Sequence, residues 1–127
     1  MIDIKEKVLL CVNASLEKKA QKLVILGVKG LSSFTDYFVI LSGNSDRQVQ
    51  AITEAIRDNL KKHGIIPLGV EGERNGQWVL MDYDDVVIHI FYHPVREFYD
   101  LERLWSEAPR MEVDDDLTHL SELAQGL

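Results

Sequence analysis

The sequence predicts a single α/β domain, a mixed β-sheet of about five strands flanked by helices. Three observations carry this. Apolar residues recur at helical spacing in two stretches, near residues 3–22 and 45–63. Short β-branched and aromatic runs, bounded by Gly, Asn, Pro or Asp, lie between and after them. The resulting order, αββαβββα, layers helices on a sheet. The 127 residues can bury one hydrophobic core without disulfides or a structural metal.

The first helix is expected from about Asp3 to Lys22. Asp3 and Glu6 have the form of a capping box, with Asp in the Ser/Thr position. Ile4, Val8, Val12, Leu16 and Leu23 fall near the helical period, and Leu9 and Cys11 widen the stripe. Lys18, Lys19 and Lys22 then occupy the last turn, where positive charge suits the helix dipole. A strand follows at Leu23–Val28, a polar loop at Ser32–Asp36, and a buried strand at Tyr37–Ser42. Ser45-Asp46-Arg47-Gln48 is the clearest helix start in the chain, because Ser45 can accept from the Gln48 amide while Gln48 reaches back. Val49, Ile52, Ile56 and Leu60 form its apolar stripe, and Gly64 closes it. Ile65–Val70 reads as a further strand, with Pro67 indicating an edge position or an irregular start.

Gly69–Tyr92 reads as a turn followed by a β-hairpin, with strands at Gln77–Asp82 and Val86–Tyr92 joined by a tight acidic turn at Tyr83–Asp85. Pro94 then breaks the chain. A last helix is expected over about Arg96–Ser106, with Phe98, Leu101, Leu104 and Trp105 as its apolar side. The domain is drawn as residues 1–106, and 107–127 as an acidic, mobile tail.

Charge and composition exclude several classes. Net charge is −7, of which −5 falls in residues 107–127 and about −2 in the rest. Without clustered Lys and Arg, little direct nucleic-acid contact is expected, and docking on a basic protein is the more natural association. The single Cys11 excludes an internal disulfide, and no Cys/His group has zinc spacing. No apolar run approaches the ~20 residues of a membrane span. The N-terminus lacks the pattern of a signal or transit peptide. A cytoplasmic protein with no membrane partner and no cofactor is expected.

Paired carboxylates at Asp82, Asp84 and Asp85 could hold magnesium, and the Gly43-Asn44-Ser45 turn before a helix could hold a phosphate. Together these resemble the nucleotidyltransferase arrangement. The plainer reading is that Asp-rich turns suit tight hairpins and that Ser45 is already engaged as a cap. Neither catalytic nor metal-ligating residues are assigned. His89, between Ile88 and Ile90, has no second ligand spaced to join it, since His93 lies four residues along an extended strand. Strand alternation places Trp78, Leu80 and Asp82 on one face and Val79 and Met81 on the other. A face with Trp beside Asp suits an interface better than a core, so Trp78 and Leu80 are the candidate anchors. Met81 and His89 are carried as the alternative, because a one-residue slip exchanges the faces.

Several separated motifs, in order, resemble the ribosomal silencing factors, or Iojap-like family. They are Thr35-Asp36 before the FVILSG strand, Ser45-x-Arg47, Gly69-Val70-Glu71-Gly72, Trp78 and Asp82-Tyr-Asp-Asp85-Val-Val-x-His89. Arg96-x-x-Tyr99-x-Leu101-Glu102-x-Leu104-Trp105 completes the set. The resemblance spans about residues 3–106. It departs at Asp84, where relatives often carry Gly. It implies a nucleotidyltransferase-like fold without the full catalytic set, and a non-enzymatic role. It further implies binding to a small β-barrel protein of the large ribosomal subunit, ribosomal protein L-fourteen, obstruction of subunit joining, a part in large-subunit assembly, and homodimers. On this reading Glu71, Asp82 and Asp84 pair with basic residues at the rim, and Arg96 and Tyr99 buttress the hairpin or join the contact. The alternatives are a magnesium-dependent nucleotidyltransferase-like enzyme and a homodimeric assembly module.

Overall fold

Asp3 accepts a 2.9 Å hydrogen bond from the Glu6 amide and starts helix α1, Ile4–Glu17, in the computed structural model, which describes residues 3–113. The helix is shorter than its pattern suggests. Lys18 is the C-cap and Lys19 turns left-handed at φ 61, so the chain reverses and seats Ala20 against the core. Lys18, Lys19 and Lys22 therefore do not form a last helical turn. Lys22 lies in strand β1 (Gln21–Gly27), at φ 52, where the register shifts between Gln21 and Val24.

Strand β2 (Tyr37–Gly43) pairs antiparallel with β1 and leads into helix α2, Asp46–Lys61. Ser45 caps α2 by accepting from the Gln48 amide at 3.0 Å. The Gln48 carboxamide reaches back to the Asn44 amide, and its Nε2 donates to the carbonyls of Lys18 and Lys19. The start of α2 is thereby tied to the end of α1. Strands β3 (Gly69–Glu71), β4 (Trp78–Asp82) and β5 (Val86–Tyr92) follow. Only the last part of the expected Ile65–Val70 strand joins the sheet, after Pro67, and it does so at an edge.

Among the described residues the sheet has six strands in the order β3-β4-β5-β2-β1-β6, with β2 and β5 parallel and every other pair antiparallel. The sixth, β6 (Arg110–Val113), pairs with β1 along Leu23–Leu26. It lies beyond the boundary drawn at residue 106, so the start of the expected tail belongs to the domain. Met111 and Val113 turn toward the core while Arg110 and Glu112 face solvent, a two-residue alternation. The expectation of a mobile tail over 114–127 falls outside the described residues.

The last helix is also revised. Pro94 sits in the first turn of α3 (His93–Tyr99), where its missing N–H costs nothing, rather than before the helix. Asp100, left-handed at φ 48, then separates α3 from the single turn α4, Leu101–Leu104. This break exposes Phe98 (80%) and Leu104 (76%), both expected on the apolar side.

Strand alternation sends each strand's residues to two different cores. Helices α1 and α2 cover one face, burying Val8, Val12, Val49, Ile52, Ile56 and Leu60 against Val39, Leu41, Val79, Met81, Ile88 and Ile90. On the other face Val24, Leu26, Ile40 and Phe91 meet Phe38, Trp78, Val95, Leu101 and Trp105. Cys11 is fully buried in the first core, and burial pushes its thiol pKa up, which leaves it an inert apolar side chain.

Candidate functional site

The second face is the candidate site, and the β4–β5 hairpin builds it. Trp78 pairs across the strands with Phe91 and Leu80 with His89, so these four side chains share one face. Val79 and Met81 point the other way. Met81 is wholly buried under the helices and offers nothing to a partner; its grouping with His89 as an alternative face is corrected by this register. The assignment of Trp78, Leu80 and Asp82 to one face agrees with the alternation.

Trp78 is half-buried and held on three sides. Its ring stacks on Phe91 at 4.9 Å, meets Tyr99 at 4.9 Å and lies 6.0 Å from His89. Its Nε1–H donates to His89 Nδ1 at 3.1 Å. An indole nitrogen can only donate, so Nδ1 must accept, which fixes the proton of the neutral imidazole on Nε2. His89 is 5% exposed, and burial pushes its pKa down to about 4, so the ring is neutral near pH 7. Its Nε2 has no hydrogen-bond partner.

Trp78 is also placed by the turn before it. A Cβ at Gly72, φ 82, would lie 2.1 Å from the Trp78 carbonyl oxygen, so only glycine fits there. Arg57 on α2 grips Glu73 with two bonds of 2.5 and 3.0 Å, and Gln50 Nε2 donates to the carbonyls of Glu73 and Arg74. The same contact with Arg57 holds the Glu73 carboxyl below its ordinary pKa.

The acidic turn is occupied by its own structure. Asp85 accepts from Lys7 Nζ at 2.6 Å, which also donates to the Tyr83 carbonyl. Asp82 accepts from the Asp84 amide at 2.8 Å, a local bond that Asp-rich turns favour. Asp84 takes φ 74, a conformation that glycine adopts without strain. Glu71 and Asp84 are exposed and Asp82 half-buried at the rim of the Trp78 face.

Arg96 belongs to the scaffold. It is 6% exposed and donates to the Lys22 carbonyl at 2.7 Å, Ser42 Oγ at 2.8 Å and Glu102 at 3.2 Å. Burial lowers its pKa, and the neighbouring Glu102 opposes that. It pins α3 and α4 to β1 and β2. Tyr99 (53% exposed), by contrast, borders Trp78 directly.

Two exposed aromatics were not among the site residues expected from sequence: Phe98, expected on the apolar side of the last helix, and Phe34. Phe98 packs edge-on against Tyr99, and both line a surface groove with Trp78 and Pro94. Phe34 (88% exposed) stands on the loop before β2 and, with Leu31, Phe38, Leu80, Val87 and Trp105, lines a second groove of about 490 Å³. The available signal was a large aromatic inside the polar run Ser32–Asp36.

A mixed sheet covered by two helices on one side and left half-covered, aromatic and acid-rimmed on the other defines a small α/β domain with a candidate contact surface. Among the described residues, no group of three or more His, Cys, Asp or Glu is arranged to hold a metal ion. A family model described as "Ribosomal silencing factor during starvation" matches residues 1–125, and the chain belongs to that family. It is 43% identical to Ribosomal silencing factor RsfS of Halalkalibacterium halodurans over 105 residues, 83% of this chain and 90% of that protein. A crystal structure from Chromobacterium violaceum superposes with a TM-score of 0.81 at 34% identity, covering 83% of this chain and 88% of that one. A mouse protein named "Mitochondrial assembly of ribosomal large subunit protein 1" is 30% identical over 108 residues, 83% of this chain and 46% of that protein.

Proposed function

We propose that this chain is a cytoplasmic, non-enzymatic translational repressor. It docks its Trp78 face on a basic protein of the large ribosomal subunit, ribosomal protein L-fourteen by family resemblance, and sterically blocks joining of the small subunit. A part in large-subunit assembly is compatible with the same contact. The observation that carries this reading is the half-covered aromatic face of β4 and β5, rimmed by carboxylates. Trp78 and Leu80 anchor the contact, because desolvated aromatic and aliphatic side chains supply most binding energy in interfaces. Glu71, Asp82 and Asp84 meet Lys and Arg of the partner, and charges at a rim act mainly on association rate and salt sensitivity. Tyr99 extends the surface beside Trp78. His89 holds the Trp78 ring from below, and Arg96 holds the helices. Met81 is left out because it is core.

Catalysis is set aside on what the residues already do. Ser45 caps a helix, Asp85 is paired with Lys7 and Asp82 closes its own turn, so these three residues of the nucleotidyltransferase-like alternative are engaged structurally. Among the described residues no helix is long and apolar enough to cross a membrane.

The test is subunit joining by purified ribosomal subunits with and without the protein, alongside comigration with large subunits on a density gradient. Trp78→Ala is expected to keep the fold, abolish comigration and restore joining. A folded Trp78→Ala protein that still comigrates removes the anchor. Magnesium-dependent nucleotide binding lost in Asp82→Asn would instead support the enzymatic alternative. A dimer that persists in the presence of large subunits, without binding them, would support the assembly-module alternative.

A further inference from the structure

We infer that the groove beside Leu80 is the receptacle for one apolar side chain of the basic protein partner, whose adjacent backbone carbonyl accepts a hydrogen bond from His89 Nε2–H. This rests on the docking reading above and specifies its chemistry.

The groove lies on the part of the sheet face that α3 and α4 leave open, and its volume of about 490 Å³ is ample for a side chain. Leu31, Phe34, Phe38, Leu80, Val87 and Trp105 make it predominantly apolar. Asp82 lines it, the exposed Asp84 stands in the turn next to Asp82, and among the described residues none of its walls is Lys or Arg. That balance favours a partner whose surroundings are basic.

The second observation is a donor without an acceptor: among the described residues two buried side-chain polar atoms lack a partner, Tyr83 Oη in the core under the helices and His89 Nε2 at the groove. His89 forms part of the groove wall, whereas Trp78, which binds Nδ1, does not line the groove. The two ring nitrogens point away from each other, so the edge carrying Nε2 is the one turned from Trp78. A buried N–H without an acceptor is costly, and native proteins rarely leave one unless a ligand or function uses it. Phe38 stands edge-to-face against this ring at 5.1 Å and 81°, a contact weaker than a hydrogen bond. Phe38 is half-buried and lines the groove beside His89, so a side-chain adjustment there on docking is the way an incoming carbonyl would reach Nε2–H. An apolar side chain with a carbonyl beside it matches the groove and the donor together, and any residue of a peptide chain supplies the carbonyl.

Four variants measured for binding to purified large subunits test this, each checked for folding by thermal unfolding. His89→Phe removes the donor at similar volume and is expected to weaken binding about tenfold. His89→Gln restores an N–H donor in that position and is expected to bind within about threefold of the parent protein. Val87→Phe fills the groove without altering Trp78, Leu80 or His89 and is expected to weaken binding about tenfold or more. Trp78→Ala reports on the docking face alone. If Trp78→Ala loses binding while His89→Phe and Val87→Phe bind normally, the groove assignment is overturned and the docking face stands. If all four bind normally, the docking face itself falls. If Val87→Phe instead disrupts a dimer measured by sedimentation and leaves subunit binding unchanged, the occupant is a second copy and the inference is wrong.

Discussion

The two faces of one sheet are made from the same six strands and behave as different materials. The face under α1 and α2 is almost purely aliphatic, and its strand residues Val39, Leu41, Val79, Met81, Ile88 and Ile90 are all fully buried. The opposite face mixes Phe38, Trp78, His89 and Phe91 with a buried guanidinium, and among the described residues one short helix and a single turn are the helical elements that cover it. Aliphatic packing buries apolar area without unmet polar groups, whereas aromatic rings and a histidine bury area yet keep polar atoms to place. The difference teaches that strand parity divides a wholly structural face from a mixed one: residues 79, 81, 88 and 90 are sealed under the helices, whereas on the other face Phe91 and His89 are buried and Trp78 and Leu80 stay half-buried.

The sharpest way to break this comparison is to damage each face and ask which property is lost. Ile52→Ala, in the aliphatic core, should destabilise by about 4 kcal/mol in urea unfolding, through lost burial and the cavity left behind. Arg96→Met should cost about 3 kcal/mol, because Glu102 and Ser42 lose their partner in a buried setting. Hydrogen exchange should then show α3 and α4 opening while α1 and α2 stay protected. Equal loss of protection on both sides would mean that the faces are not energetically separable.

Acid should act through the aromatic face. Burial holds the His89 pKa near 4, below its ordinary 6.5, so the unfolded chain binds a proton in a range where the folded one does not. Stability is therefore greatest above about pH 6.5 and falls as pH drops toward 4. Between pH 7 and pH 5 this amounts to about 2 kcal/mol, measurable as a shift in the urea midpoint. His89→Phe should flatten that slope; an unchanged slope would assign it elsewhere. The smallest effect belongs to the turn joining the two strands. Asp84→Gly relieves a left-handed residue and should raise stability by up to about 1 kcal/mol in thermal unfolding.

Sequence reading located the elements wherever periodicity and capping chemistry agreed. Asp3, Ser45 and the alternation of residues 78–82 were legible because each encodes a local hydrogen bond or a face. It failed where a residue without special backbone freedom adopts a left-handed conformation. Lys19 ends α1, and Asp100 splits the final helix, with neither glycine nor proline to announce the change. Strand β6 was hidden in an acidic stretch although Met111 and Val113 alternate with charged neighbours. The site was half legible. Alternation put Trp78 and Leu80 together on one face, but separating His89 from Met81 and setting it beside Leu80 required a register that only the cross-strand partners of β4 and β5 supply. Phe34 and the groove depend on a loop folding over a distant strand, which no local pattern encodes.

The central parallel pair carries a consequence for how the surface comes into being. Strands β2 and β5 are neighbours in the sheet, yet Tyr37 meets Val86 and Gly43 meets Tyr92 across more than forty residues of intervening chain. Closing such a loop must precede its reward, so folding through this pair is slow compared with helix formation. Helix α1, β1, β2 and α2 all emerge from synthesis before β4 and β5 exist. Val79, Met81, Ile88 and Ile90 arrive on the same two strands as Trp78, Leu80 and His89, so the nascent chain completes its aliphatic core and its aromatic face together, and late.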